Sequence, residues 1–128
     1  MQVNNSWTIG VIDDDSGLRT ALTQLLRSAQ FTPLPFESAE QFLRNADPQD
    51  LDALIVDLHL LGLNGLQLLA TLEARGEARP AVLITGRDDQ ASRDLFRSWK
   101  GPVLFKPFDD TQLFAALTLV LGKPPIAA

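Results

Sequence analysis

The chain has 128 residues, a formal net charge of −5 and no cysteine, which fits one soluble domain and excludes several classes of protein. The acidic balance argues against binding nucleic acid through basic residues, and without cysteine there are no disulfides or zinc–thiolate sites. No apolar stretch reaches the roughly 18 residues of a membrane span, and residues 1–7 do not resemble a signal peptide. We therefore expect a cytoplasmic location and partners that are proteins or small anions.

Short apolar runs alternate with helical patterns from the start of the chain. Thr8–Ile12 predicts a first strand, followed by a helix whose apolar residues recur at helical spacing from Leu18 to Ala29. Thr32–Phe36 predicts a second strand at a sheet edge, because its two prolines cannot donate ladder hydrogen bonds. The second helix is expected to start at Ser38, where S-A-E-Q has the form of a capping box.

The middle of the chain continues the alternation. Ala53–Asp57 and Ala81–Thr85 predict the third and fourth strands, and the helix between them is expected to end near Gly76. Gln90–Trp99 predicts a fourth helix, stopped by the Gly-Pro pair that follows.

The end of the chain completes five strand–helix units. Val103–Lys106 predicts the fifth strand, and Asp109 or Asp110 is expected to cap a last helix that ends at Gly122. The whole is an α/β pattern that predicts a doubly wound parallel sheet with helices on both faces. One domain over 1–122 and a short tail without structure of its own over 123–128 are expected.

Oxygen-bearing and cationic side chains stand where these strands end. Asp13 and Asp14 follow the first strand, Asp57 ends the third, Thr85 ends the fourth and Lys106 ends the fifth. The carboxyl ends of parallel strands lie along one edge of a sheet, where ligands commonly bind. Clustered carboxylates repel one another without a cation, and oxygen ligands suit Mg²⁺. The pattern predicts a magnesium site beside an ammonium and a hydroxyl group, which together suit a phosphoryl group.

These residues also carry a family resemblance. The set of D-D at 13–14, D at 57, T-G at 85–86 and K-P-F at 106–108 resembles the receiver domain of two-component response regulators. The resemblance covers Thr8 to Leu121, and F-E-S-A-E-Q-F-L at 36–43 is similar to receivers of the FixJ type. It implies the flavodoxin-like (βα)5 receiver fold with strand order 2-1-3-4-5, without an output domain.

The resemblance implies a phosphoacceptor and a metal site. Asp57 would accept a phosphoryl group from a sensor histidine kinase or a histidine phosphotransfer protein. Asp14, Asp57 and the backbone carbonyl of His59 would bind Mg²⁺, or Mn²⁺ in its place, and Asp13 would act mainly through water. The chain would then be a signalling domain rather than an enzyme, although it assists its own phosphotransfer and dephosphorylation.

The remaining implied roles lie around the phosphate. Thr85 and Lys106 would hold the phosphate oxygens and move toward them on phosphorylation, and the peptide bond from Lys106 to Pro107 would be cis. His59 and Arg87 stand at positions that tune the lifetime of the acyl phosphate in the family.

Two positions depart from the family pattern. Leu61 stands where most receivers have a proline, and Val103 stands where they have an aromatic switch residue. The usual relay from threonine to aromatic ring is therefore expected to be absent. Phe96 and Trp99 on the fourth helix are a candidate output surface together with Val103, although both fit equally well as partly buried core residues.

Three functions compete. The leading interpretation is a phosphorylation switch that signals through contact with a protein partner, because no recognition helix or basic patch follows the last helix. The second is a receiver fold that serves as an interaction module independent of phosphorylation. The third is a metal-dependent phosphatase with an aspartyl nucleophile. It ranks last because His59 occupies the place of the second aspartate that such enzymes generally have.

Overall fold

The computed structural model describes residues 6–122, and these form five parallel strands in the order β2-β1-β3-β4-β5. The fold class and the strand order are therefore confirmed. The predicted tail at 123–128 lies outside the described residues. The strands are β1 (Thr8–Ile12), β2 (Thr32–Phe36), β3 (Ala53–Asp57), β4 (Ala81–Thr85) and β5 (Val103–Phe105), and the helices are α1 (Ser16–Ser28), α2 (Ala39–Asn45), α3 (Gly65–Ala74), α4 (Gln90–Phe96) and α5 (Asp110–Leu121).

Each face of the sheet has its own apolar core, because successive side chains of a strand point to opposite faces. Ile9, Val11 and Ile55 lie with residues of α1 and α5 on one face. Leu54 and Val56 pack with residues of α2 and α3 on the other. The central strands β3 and β4 are buried along their whole length. This double burial makes the sheet a rigid support for whatever its carboxyl edge carries.

The two prolines of β2 lie at an edge of the sheet, as the sequence predicted. Pro33 and Pro35 pair in register with Ile9 and Val11 of β1, and β2 forms one edge of the sheet. The missing N–H groups therefore cost the sheet little.

Two predicted element boundaries are wrong. Helix α4 ends at Phe96 rather than Trp99, because the Trp99 N–H donates to the Phe96 carbonyl three residues back and the indole N–H donates to Pro102 O. Strand β5 ends at Phe105 rather than Lys106, although the Lys106 N–H still donates to Thr85 O at 2.8 Å. Lys106 thus stands just beyond the sheet.

The helix caps mostly follow the sequence signals. Asp109 caps α5 in a reciprocal capping box with Gln112, and Gly122 ends that helix in the left-handed region at φ 77°. The Ser38 side chain accepts from the Gln41 N–H as expected, but the Gln41 side chain accepts from Glu37 N rather than from the backbone of Ser38. Within residues 6–122, we find no helix with the length and apolar character that crossing a membrane requires.

Candidate functional site

Strands β1 and β3 bring three carboxylates to one edge of the sheet. Asp13 and Asp14 directly follow β1, and Asp57 is the last residue of β3. One oxygen from each of the three lies within 4.8 Å of the others. We call these three aspartates the acidic site. The sequence predicted this cluster correctly, because the parallel register of β1 and β3 leaves both carboxyl ends at the same edge.

Asp13 is the most deeply buried residue of the acidic site. Its side chain is fully buried, and Oδ1 accepts a hydrogen bond from Asp15 N at 2.9 Å. Within the part of the chain that the structure describes, Oδ2 has no hydrogen-bond partner. Burial, assisted by the Asp57 charge, raises the pKa of Asp13 to about 6, against the opposing effects of Asp15 N and Lys106. Apart from the Lys106 ammonium 3.5 Å away, this buried oxygen has lone pairs available to a cation or to water bound to one.

Lys106 supplies the positive charge beside these carboxylates. Its Nζ lies 3.1 Å from Asp57 Oδ2 and 3.5 Å from Asp13 Oδ2. Partial burial alone would lower the pKa of Lys106, but the carboxylates of Asp57 and Asp13 outweigh it, so the pKa lies above its ordinary value. The ammonium therefore stays charged and can face the oxygens of an anion bound at Asp57. The peptide bond from Lys106 to Pro107 is cis.

Asp57 and Asp14 differ in their surroundings. Asp57 is 5% exposed, and its Oδ1 accepts from His59 N at 2.9 Å while Oδ2 faces Lys106. Asp14 is exposed, and its Oδ2 accepts from Leu61 N at 3.3 Å. The acidic site therefore has a buried floor at Asp13 and an open side at Asp14, through which a small ligand can enter.

Thr85 ends β4, one residue beyond Ile84, which pairs in register with Asp57 of β3. It is fully buried, and its Oγ1 accepts from Arg87 N at 3.1 Å and lies 3.2 Å from Arg87 O. The hydroxyl group is thus engaged with the following loop. Its predicted contact with phosphate, and the predicted influence of Arg87 on the lifetime of the phosphoryl group, stay predictions.

Sequence reasoning missed a contact that joins the acidic site to α4. His59 Nε2 lies 3.0 Å from Ser92 Oγ, and Ser92 is 1% exposed. The two residues are 33 positions apart in the chain, so no local pattern pairs them. A weak signal exists, because Ser92 precedes Phe96 by one helical turn and so shares its buried face. The loop after Asp57 is therefore tied to α4 by a side-chain hydrogen bond.

The candidate output residues lie beside this contact. Phe96, Trp99 and Val103 are partly buried and pack against the core on the α2–α3 face. The Phe96 ring meets Phe105 edge to face at 6.1 Å, and Phe105 is 41% exposed. The residues are thus both core and surface, and their role in output stays a prediction.

The donor set of the acidic site fits Mg²⁺. It contains oxygen atoms only, which suits a hard cation, and it offers few enough carboxylates to leave room for water and a phosphate oxygen. The buried Asp13 Oδ2, which accepts no hydrogen bond from residues 6–122, is the observation of this structure that agrees best with a cation there.

A parallel sheet in the order 2-1-3-4-5 with a carboxylate cluster at its carboxyl edge defines the class of doubly wound proteins that bind ligands at that edge. Residues 9–118 match the family model of the response regulator receiver domain. The chain therefore belongs to the response regulator receiver domain family of two-component systems, as the sequence resemblance indicated.

Relatives and solved structures agree with this membership. The chain is 34% identical over 119 residues to the transcriptional regulatory protein FixJ of Azorhizobium caulinodans and 31% identical over 121 residues to FixJ of Bradyrhizobium diazoefficiens. It covers 56% and 59% of the length of these two relatives. The crystal structure of FixJ-N matches with a TM-score of 0.79 and 27% identity over 100% of this chain and 99% of that one. A receiver protein from Burkholderia phymatum matches with a TM-score of 0.77 and 30% identity, over 92% of this chain and 97% of that one.

Proposed function

We propose that the chain is a phosphorylation switch in which Asp57 accepts a phosphoryl group from a phosphohistidine donor. The observation that carries this proposal is the charge arrangement of the acidic site. Lys106 Nζ lies 3.1 Å from Asp57 Oδ2 and 3.5 Å from the buried Asp13 Oδ2, which accepts no hydrogen bond from the described residues. One ammonium group does not neutralise the three clustered carboxylates, so a second cation would stabilise the acidic site, which supports a metal-dependent reaction at Asp57.

The acidic site itself would hold the metal. Asp14, Asp57 and the His59 backbone carbonyl are the proposed direct ligands of Mg²⁺, or of Mn²⁺ in its place, with Asp13 acting through water. When bound, the ion supplies neutralisation of the charge on the phosphoryl oxygens.

The proposed transfer is a displacement at phosphorus. An oxygen of Asp57 forms the new bond as the bond from phosphorus to the donor nitrogen breaks, and that nitrogen keeps the electron pair. The imidazole, protonated on its other nitrogen, leaves as a neutral ring. Lys106 is already in contact with Asp57, so a short movement of its ammonium group would bring it to the transferred oxygens and stabilise their charge. Later attack of water on phosphorus returns the carboxylate and releases inorganic phosphate, so the domain assists its own dephosphorylation.

The switch follows from the added charge. Phosphorylation brings about −1.5 to −2 charges to the edge of the sheet. The Thr85 hydroxyl, now engaged with Arg87, would turn to a phosphate oxygen, and the loop after β4 would lose that contact. The signal would pass to a protein partner through the surface of α4 and β5, with Phe96 and Trp99. The donor would be a sensor histidine kinase or a histidine phosphotransfer protein, which the chain would meet in the cytoplasm.

One observation favours a second candidate, an interaction module that works without phosphorylation. Val103 is aliphatic and half-buried against the core, so the position offers no ring that could turn when Thr85 moves. Under this alternative the fold and its α4–β5 surface would be retained while the acidic site would no longer switch them.

Intact-mass spectrometry after incubation with acetyl phosphate and Mg²⁺ separates the two candidates. The switch predicts one phosphoryl adduct on the native chain, none with EDTA and none on Asp57→Asn. A native chain that stays unlabelled, under conditions that label a known receiver domain, contradicts the switch and leaves the interaction module. If the native chain is labelled, transfer from the phosphorylated kinase domain of a sensor kinase that acts on FixJ-type receivers tests the class of donor.

A further inference from the structure

The loop from residue 58 to residue 64, which we call the acceptor loop, follows Asp57 and leads into α3. Two of its backbone N–H groups donate to the acidic site: His59 N to Asp57 Oδ1 at 2.9 Å and Leu61 N to Asp14 Oδ2 at 3.3 Å. Both acceptors are carboxylates that a cation would compete for. The Leu61 side chain is 79% exposed and adds little packing, whereas Leu58 and Leu60 of the same loop are buried. The acceptor loop therefore depends on contacts made away from the acidic site.

Glu40 of α2 makes such a contact from the far side. Its Oε2 accepts a hydrogen bond from Leu63 N at 3.0 Å. This bond is the main cause that lowers the pKa of Glu40, with a smaller contribution from the Glu40 backbone N–H. Glu40 lies in the first turn of α2, where free N–H groups favour a negative charge. The contact is thus a charge-assisted hydrogen bond between α2 and the acceptor loop.

Gly62 shows that the backbone is shaped for this contact. Its φ of +76° lies in the left-handed region, and a Cβ placed on it would stand 2.6 Å from Glu40 Oε2. A side chain at this position would push the carboxylate away from Leu63 N. Glycine therefore permits both the turn and the close approach of Glu40.

We propose that Glu40 is a positioning residue for the acidic site, a role that rests on the proposed function. By holding Leu63, it fixes the acceptor loop from outside and so sets where the His59 backbone stands relative to Asp57. The F-E-S-A-E-Q segment that begins at Phe36 then does more than start a helix. Its second glutamate, Glu40, acts on the acidic site by holding the acceptor loop. Glu40 touches neither Asp57 nor the phosphoryl group in this arrangement.

The consequence is measurable in the metal-free protein and in its response to Mg²⁺. Loss of groups that orient metal ligands commonly weakens metal binding by about 10- to 100-fold. We expect Glu40→Ala to remove the hydrogen-exchange protection of the Leu63 amide and to weaken Mg²⁺ binding by about 10-fold. Glu40→Gln keeps an acceptor oxygen at the same reach and should restore both properties to near the native values. Gly62→Ala should weaken Mg²⁺ binding as well, because it displaces the carboxylate and also strains a backbone held at a φ of +76°.

NMR measures both quantities on the full chain, as amide exchange rates without metal and as amide shifts during a Mg²⁺ titration. Glu37→Ala is the matched control, since it removes an equal charge from an exposed side chain in the same segment and should leave both unchanged. If the Leu63 amide of Glu40→Ala exchanges as slowly as in the native protein, Glu40 does not hold the acceptor loop. Rapid exchange at Leu63 with native Mg²⁺ affinity would overturn the positioning role.

The native chain keeps this test separate from the proposed function. If native protein binds Mg²⁺ and is phosphorylated while Glu40→Ala behaves identically, only the positioning role is wrong. If the native chain takes up neither Mg²⁺ nor a phosphoryl group, the proposed function is wrong and the positioning role is overturned with it. The exchange rate of Leu63 alone still reports whether Glu40 holds the acceptor loop.

Discussion

Replacing Asp13 with asparagine should stabilise the metal-free protein. Burial raises the pKa of Asp13 from 3.8 to about 6, so the folded state binds this proton more tightly than the unfolded state does. The free energy of unfolding contributed by this group therefore falls as the pH rises from about 4 through about 6. Each unit of pKa difference corresponds to about 1.4 kcal/mol. Above that pH range, the ionised Asp13 can therefore lower the free energy of unfolding by at most about 3 kcal/mol.

The expected gain is smaller than this ceiling. Asparagine can keep the Oδ1 acceptor that Asp15 N uses, but it gives up the attraction between Asp13 Oδ2 and Lys106 Nζ at 3.5 Å. We expect Asp13→Asn to raise the free energy of unfolding by about 1 to 2 kcal/mol near neutral pH without metal. The advantage should largely vanish in mildly acidic buffer, where the native carboxyl group is protonated.

Urea denaturation in EDTA at two pH values, about 5 and about 7.5, measures this difference. Asp50→Asn is a control, because Asp50 is exposed and its substitution should change stability by less than about 0.5 kcal/mol. Added Mg²⁺ should stabilise the native protein more than Asp13→Asn, because the folded native chain binds it better. Equal stability of native and Asp13→Asn at the higher pH, or an advantage independent of pH, would refute the account of a strained buried carboxylate.

Two further substitutions probe the contacts of the acidic site. Lys106→Met should lower the free energy of unfolding by about 2 kcal/mol near neutral pH, because it leaves the carboxylates of Asp57 and Asp13 without their cation, and by less in mild acid. Urea denaturation at the same two pH values measures both losses, and an equal loss at both would contradict this reasoning. Ser92→Ala should cost about 1 kcal/mol by leaving His59 Nε2 without its partner on α4. It should also speed amide exchange in the loop after Asp57, and unchanged exchange there would show that the contact does not hold that loop.

The strands and the acidic site could be predicted from the sequence because both depend on local patterns. β1 to β4 are short apolar runs bounded by polar residues, and their bounds agree with the prediction. The parallel topology then brings Asp13 and Asp57 together, since side chains at strand ends share one edge. The grouping of these carboxylates needed only the order of the strands, which the family resemblance implied.

The long-range polar contacts could not be predicted in the same way. Glu40 and Leu63 are 23 positions apart and His59 and Ser92 are 33 apart, and each pair meets only because the helices dock at particular angles on the sheet. The end of α4 was also missed, because the apolar spacing continues through Trp99 although hydrogen bonding to Phe96 and Pro102 ends the helix earlier. Periodicity predicts which face is buried, but it does not show where the backbone leaves the helix.

Peptide mapping of the phosphorylated chain shows whether Asp57 is the phosphoacceptor. The chain is labelled with acetyl phosphate and Mg²⁺, the acyl phosphate is trapped by borohydride reduction, and tandem mass spectrometry locates the modified residue. We expect modification at Asp57 alone, lost when Mg²⁺ is chelated and strongly reduced in Lys106→Met. A modified Asp13, Asp14 or His59 on the native chain, or labelling of Asp57 that is indifferent to Mg²⁺ and to Lys106, would contradict it.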